Sequence, residues 1–457
     1  MMQRALHQGN RSRSVVVLGG GLVMAALVGL AAGRWPAIAV GGAVVFVIAV
    51  VMLRDLTTAI VLFTVASFGG VLALGNAATA AKGLGVVLVL AWVADLARRS
   101  EGDLRSFLRD HRGLVAAGVA LVAWNLLSAV WAQSSSAALL GSSRYLQDLV
   151  LFPIVYTGVR RFGHVRAVLA AFVAGAVLAM FYGIATGSTV DGSRLVGAIG
   201  DPNETATVLV MASVLALALG IGETRSRLRR WAAFAASIVA LYGIVSTASR
   251  GGVVALAATA ATAIVISGRW RRQIIVATAV AGIVVGGWFL LLAPASSRSH
   301  LTSEQSPRTT IWTVAGRTIA ANPVVGVGND NFSIVAPSYL VRPGATTRAD
   351  DVIIKPDVAH DIYLEVWADT GLIGLILFLC VVLAPLRSAW TAVRLLEKAG
   401  RRSDEILVRA LIVAIVSLLA AGFFISDEYS KQLFLLLALS TATLATVRAE
   451  IIRKLPS

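Results

Sequence analysis

Fourteen apolar runs, each close to the ~20 residues that carry an α-helix across a bilayer, constrain this chain more than any other feature. They fall near 15–33, 36–53, 57–74, 79–97, 114–131, 146–159, 167–185, 204–222, 231–247, 252–267, 274–293, 371–386, 407–424 and 432–447. Several are short or Gly-rich, which leaves about 12–14 spans. Only 14% of the 457 residues are charged, against about 25% in a soluble domain. The fold class that follows is an all-α polytopic membrane protein.

The formal charge of +16 suggests nucleic acid, but its placement excludes that partner. The arginines sit in short clusters between apolar runs, the pattern that orients membrane proteins. With the N-terminus placed in the cytoplasm and sides alternating, the inside segments hold more than two thirds of the 40 Lys and Arg residues. Each short outside loop holds one: Arg34, Lys82, Arg144, Arg194, Arg250 and Lys431. Both termini are then expected in the cytoplasm. The first apolar run has a basic head like a signal peptide, but it is longer than the usual 7–15-residue signal core and reads as a retained span. The single cysteine, Cys380, lies inside an apolar run, so no intrachain disulfide forms.

One stretch breaks the rhythm. Residues 294–370 are too polar for a span and face outward, dividing the chain into a membrane bundle at 1–293, an external loop at 294–370, and a second bundle with a cytoplasmic tail at 371–457. Long loops in compact proteins are commonly functional. Within it, "SPRTTIWTVAGRTIAANP" predicts a helix, with Ser306 as cap, Pro307 in the first turn and an apolar stripe of Ile311, Trp312, Ala315 and Ile319. "NPVVGVGNDNF" breaks it, residues 341–357 read as mobile, and a second short helix is predicted from about Asp357 into the span at 371.

Charged groups at membrane depth are functional suspects, so the isolated outside arginines carry more information than the cytoplasmic clusters. Arg250, in "STASRGG", is flanked by glycines that allow close approach to a ligand, or else a tight hairpin whose arginine reaches lipid headgroups. Arg194 precedes Asp201-Pro202-Asn203-Glu204, a helix start where Asp201 caps and an anion can bind. Arg144 has Asp148 four residues on, an alternative ion-pair explanation. Arg308 opens the loop helix, where a cation opposes the helix dipole and implies an anionic partner. His360 is a candidate general base, sharing a helical face with Tyr363, Leu364 and Trp367, while Asp361 and Glu365 lie on the neighbouring face. No second histidine stands at metal-ligand spacing. Asp427-Glu428 forms a last outside acidic pair that binds a substrate hydroxyl or ends a span. Arginines pair with phosphate oxygens. With a base beside them, they suggest group transfer from a lipid-linked pyrophosphate.

In that order, "STASRGG", "PRTTIW", "NPVVGVGNDNF" and "AHDIYLEVWADTGLIGLILFL" resemble the O-antigen ligase and O-antigen polymerase family of bacterial membrane glycosyltransferases. The resemblance covers roughly 195–380. It implies a GT-C-like helical fold and an undecaprenyl (polyprenyl) diphosphate-linked glycan donor. It also implies a glycan or glycolipid acceptor and metal-independent, inverting transfer without a cofactor. The expected setting is polysaccharide biosynthesis in the cell envelope, at the extracytoplasmic face of the bacterial plasma membrane. Carried over by position, Arg250 and Arg308 match the arginines that hold the diphosphate, and His360 matches the histidine that activates the acceptor. Arg144, Arg194 and Asn203 match further positions. Two features depart from the family: Asp361 stands where an Asn is usual, and fourteen spans exceed the ligases' usual count of about twelve.

The competing class is a transporter or flippase for the same lipid-linked glycans. It calls for mid-span charges and related halves. Asp95 and Asp148 lie near span ends, and the chain has no internal repeat, so the enzyme is favoured. A pure scaffold explains the spans but not the arginines.

Overall fold

A computed structural model describes residues 46–69, 77–98, 102–190, 194–291, 308–340 and 358–453, almost all of them helical. The helices are α1 (Leu56–Ala66), α2 (Ala77–Arg98), α3 (Gly102–Asp110), α4 (Arg112–Ser128), α5 (Ser135–Gly158), α6 (Phe162–Thr186), α7 (Pro202–Gly222), α8 (Arg227–Ser246), α9 (Arg250–Ile266), α10 (Arg271–Leu291), α11 (Arg308–Ala321), α12 (Phe332–Leu340), α13 (Ile362–Lys398), α14 (Arg402–Ala421) and α15 (Lys431–Ile452). One hairpin, β1 (Thr189–Val190) with β2 (Arg194–Leu195), joins α6 to α7. Helix is the expected answer in hydrocarbon, where every backbone polar group must bond within its own segment.

Each expected span from 57 onward has a helix over it, so the fold class stands. The run at 15–33 and most of that at 36–53 lie outside the described residues. Among the described residues, five helices are long and apolar enough to cross a membrane: α6, α7, α8, α13 and α15. A sixth candidate is α9 with α10, which meet at a bend of 115°. Gly268 makes that corner with φ 55°.

The basic segments expected on one side do gather at one end of the bundle. Arg160 reaches Asp95 (3.1 Å) and Asp103 (3.2 Å), and Arg166 reaches Asp404 (2.7 Å). Arg401 joins Glu450 (2.6 Å), and Arg269 and Arg409 share the fully buried Glu405. A buried carboxylate between two guanidiniums costs little only because both partners are present. Helix α7 measures the distance to the opposite end. Its last residue, Gly222, accepts from Arg166 (3.2 Å), while its first turn is capped by Asp201. At 1.5 Å per residue, its 21 residues put the two ends ~30 Å apart.

The loop helix expected after Ser306 begins at Arg308, with Ile311, Ala315 and Ile319 buried as predicted. Its proposed cap at Ser306 and Pro307, and the stretch 341–357, lie outside the described residues. The helix expected near Asp357 starts at Ile362 and continues into the span, interrupted at Gly371 (φ 68°, ψ −174°). Helix α12 was not foreseen in the sequence. The "VGVGN" turn packs backbone to backbone on that interruption. Val327 N–H donates to Ala368 O (3.0 Å), Gly328 N–H to Asp369 O (2.8 Å), and Leu372 N–H to Pro323 O (3.0 Å). A Cβ on Gly326 would stand 2.2 Å from Asp369 O, and one on Gly371 would stand 2.1 Å from Val324 O. Both positions therefore require glycine.

Candidate functional site

Away from the basic end, three chain breaks meet. The first is the start of α7. Asp201 Oδ1 accepts from the backbone N–H of Asn203 (2.7 Å) and Glu204 (3.0 Å), and Pro202 occupies the first turn, which is the expected helix cap. The second is the α8–α9 turn. Ser249 Oγ accepts from Gly252 N–H (3.0 Å) and donates to Asn203 Oδ1 (2.7 Å), tying the two starts together. Arg194 Nε donates to Thr247 O (3.1 Å), which fixes β2 to the same turn. Ala248 in that turn has φ 46°, a left-handed conformation that a non-glycine residue rarely adopts, so the turn is tightly held. Asn203 therefore acts here through Ser249, positioning the Arg250 turn.

The third break brings in the loop. Arg308 and Trp312, one turn apart on α11, both lie against Phe424, at 5.7 Å and 6.2 Å. Trp312 Nε1 donates to Ala359 O (3.1 Å), the residue before His360. Burial pushes the Arg308 pKa below the ordinary arginine value; Asp201 opposes this, while Arg250 and Arg194 add to it. Arg250 and Arg194 thus both lie within electrostatic reach of Arg308 in a partly buried place. Like charges gathered this way favour an anion between them. Glu204 lies within reach of His360, Asp201 and Asp427, which closes the ring on its other side. Burial, helped by Glu428 and Asp201 and opposed by a hydrogen bond from Ser430, raises the Asp427 carboxyl to about 7.

His360 has φ 52° and precedes α13 rather than riding on it. The helical face it was expected to share with Tyr363, Leu364 and Trp367 does not exist, because Asp361 is the N-cap and the chain turns before it. Asp361 Oδ1 accepts from Tyr363 N–H (2.9 Å) and Leu364 N–H (3.0 Å). An Asn side chain offers the same oxygen, so the departure at Asp361 preserves the cap. Burial raises the Asp361 pKa against the two N–H bonds that lower it.

Other candidates have structural partners. Tyr363 donates its hydroxyl to Leu419 O (2.7 Å). Glu365 accepts from Ala359 N–H and from Ser426 Oγ, fixing both sides of the His360 turn. Asp369 accepts from the N–H groups of Asp330 (2.8 Å), Asn331 (3.1 Å) and Phe332 (2.7 Å), capping α12 from outside. Arg144 pairs with Asp330 (3.2 Å) rather than Asp148, and lies over the Tyr429 ring (5.2 Å). Sequence reasoning passed over Phe424, Asp330 and Tyr429. Asp330 lies within the quoted "NPVVGVGNDNF" stretch, while Phe424 and Tyr429 meet the loop only through contacts distant in sequence.

No curated protein matches the chain. Residues 235–379 match the family model described as O-antigen ligase. The matched segment includes Arg250, Arg308, the glycine turn and His360, and excludes Arg144, Arg194, Asn203 and Asp427. The segment holding two of these arginines and the histidine is thus similar to the O-antigen ligase family, within an all-α chain that carries several helices apolar enough to cross a membrane.

Proposed function

We propose that the protein transfers a glycan from a polyprenyl-diphosphate carrier to an acceptor hydroxyl at the outer face of the bacterial plasma membrane. The observation that carries this reading is that the Arg250 turn, tied to β2 by Arg194, and the Arg308 helix, tied by Trp312 to Ala359 just before His360, lie within electrostatic reach of each other at one end of the bundle. The arginines hold the diphosphate oxygens. His360 takes the proton of the acceptor hydroxyl, whose oxygen attacks the anomeric carbon. The bond from that carbon to the phosphate oxygen breaks, and its electron pair leaves with the polyprenyl diphosphate. A single displacement inverts the anomeric centre. Guanidiniums supply the positive charge that stabilises the leaving group, so no divalent cation is called for. The basic segments at the far end of the bundle support an inside location for that end, and hence an outside one for the site.

The test uses the whole protein in proteoliposomes with a polyprenyl-diphosphate oligosaccharide and a sugar acceptor. New glycosidic bonds and free polyprenyl diphosphate are expected. His360→Ala is expected to lower transfer by at least ~10²-fold, the usual worth of a general base. Because His360 is left-handed, His360→Asn serves as the backbone control. Unchanged transfer in both variants rejects the base, and transbilayer movement of the lipid without new bonds favours a flippase. Polymerase activity is the second form of the same chemistry. In a deletion strain, missing attachment of the surface glycan identifies a ligase, and shortened chains identify a polymerase.

A further inference from the structure

Asp427 and Glu428 are adjacent but belong to different surroundings. Asp427 interacts with Asp201 and Glu204 on the arginine side. Glu428 faces Glu365, Asp330 and Arg144 instead. A second polar cluster therefore lies across the 426–430 turn from the arginines, reaching the His360 turn through Glu365, which binds Ala359 N–H.

Its composition differs from the first. Arg144 and Asp330 form a partly exposed rim, with side chains 50% and 33% accessible. Tyr429 lies under Arg144 and donates its hydroxyl to Asn329 Oδ1 (3.1 Å). Asn329 and Glu428 form the floor, at 2% and 7% exposure. Gly141 on α5 makes room for them: a Cβ there would stand 2.5 Å from Asn329 Nδ2 and 2.9 Å from the Tyr429 hydroxyl. Two floor atoms, Asn329 Nδ2 and Glu428 Oε2, are buried without a hydrogen-bond partner. Natural proteins rarely leave such groups unmatched, because a buried donor or acceptor without a partner forfeits its hydrogen bonds to water. Here one is a donor and the other an acceptor, beside an aromatic ring and an ion pair. Phosphate does not suit a place with this many carboxylates. A polyhydroxylated sugar does, since each hydroxyl both donates and accepts.

We propose that Arg144, Asn329, Asp330, Glu428 and Tyr429 form the acceptor subsite, which binds the hydroxyl-bearing sugar that receives the glycan. This rests on the reading of the arginine side as the diphosphate site. The two partners then approach His360 from opposite sides of the 426–430 turn, as a displacement with inversion requires. Arg144 belongs to the acceptor and not to the diphosphate. Burial and Glu365 raise the Glu428 carboxyl to about 8, which favours the protonated form that both donates and accepts.

The test measures binding as well as turnover. The probe is the oligosaccharide fraction released by mild acid from the source cells' surface glycan, titrated against the full-length protein in nanodiscs and followed by saturation-transfer NMR. Glu428→Ala and Arg144→Ala are each expected to weaken binding roughly tenfold, the equivalent of one good hydrogen bond. The donor-side variant Arg250→Ala should bind the probe as the wild type does. In the transfer assay, Arg144→Ala should raise the acceptor KM and leave the donor KM in place. Asn329→Leu, whose folding is checked by its unfolding midpoint, should lose binding further. The proposal is overturned if the three variants bind normally, or if Arg250→Ala alone abolishes binding. If binding behaves as expected but His360→Ala still transfers, the acceptor subsite survives and the base assignment fails.

Discussion

Asp361 shows how a residue that looks out of place is explained by what its oxygen accepts. Its two backbone bonds need an acceptor and no charge, and burial disfavours the charged form. Asp361→Asn is therefore expected to keep or raise the unfolding midpoint, whereas Asp361→Ala loses a cap worth about 1 kcal/mol. Glu428 gives a pH test. Its folded pKa of about 8 lies above the value of the unfolded carboxyl, so the folded state holds the extra proton. That contribution is complete below the unfolded pKa, near 4.3, and is lost as pH rises toward about 8. Thermal unfolding of the wild type should show declining stability over that window, and Glu428→Gln should flatten the decline; an unchanged slope would remove Glu428 as its source. Arg308 and Arg250 should differ from Arg144 in kinetics: on the proposed reading that they hold the diphosphate, Ala at either raises the donor KM or lowers kcat.

At the level of elements, the glycines at 326 and 371 do the most specific work. Both have left-handed φ, and at each the neighbouring backbone occupies the place of a side chain. Gly326→Ala and Gly371→Ala are expected to reduce folded protein and lower its melting point in detergent. Gly316→Ala, in open space on α11, should be neutral or stabilising by up to about 1 kcal/mol. Equal behaviour of all three would refute the close-packing argument. These elements also mark the limit of what could be read from sequence. Hydropathy located the helices over the expected spans, α1, α2, α4 to α10 and α13 to α15, and Ile311, Ala315 and Ile319 gave the buried face of α11, because both signals are local periodicities. Arg250, Arg308 and His360 could be named from motifs. The capping of α12 by Asp369, the Trp312–Ala359 bond and the Arg144–Asp330 pair join residues distant along the chain, and no local pattern encodes such contacts. Helix α12 itself escaped notice because Pro337 lies inside it and its cap comes from another element.

Across the whole molecule, the ~30 Å length of α7 keeps two chemistries apart: ion pairs bind the basic end, and converging arginines occupy the other. Sidedness can be tested with Cys380→Ala as background. A cysteine placed by Val324→Cys should react with an impermeant maleimide in intact cells, and one placed by Leu228→Cys only after permeabilisation. Both positions are exposed, and the reverse pattern would invert the orientation. The backbone contacts between the glycine turn and Gly371 carry one further consequence. Hydropathy marks 294–370 as a separable outer piece, but its turn takes hydrogen bonds from, and leans on, a stretch that runs directly into a span. The unit of cooperative folding thus crosses the water–lipid boundary. A loop cut out for immunisation or crystallisation would lose the surface that shapes it, and antibodies raised against it would recognise a conformation that the intact protein does not display.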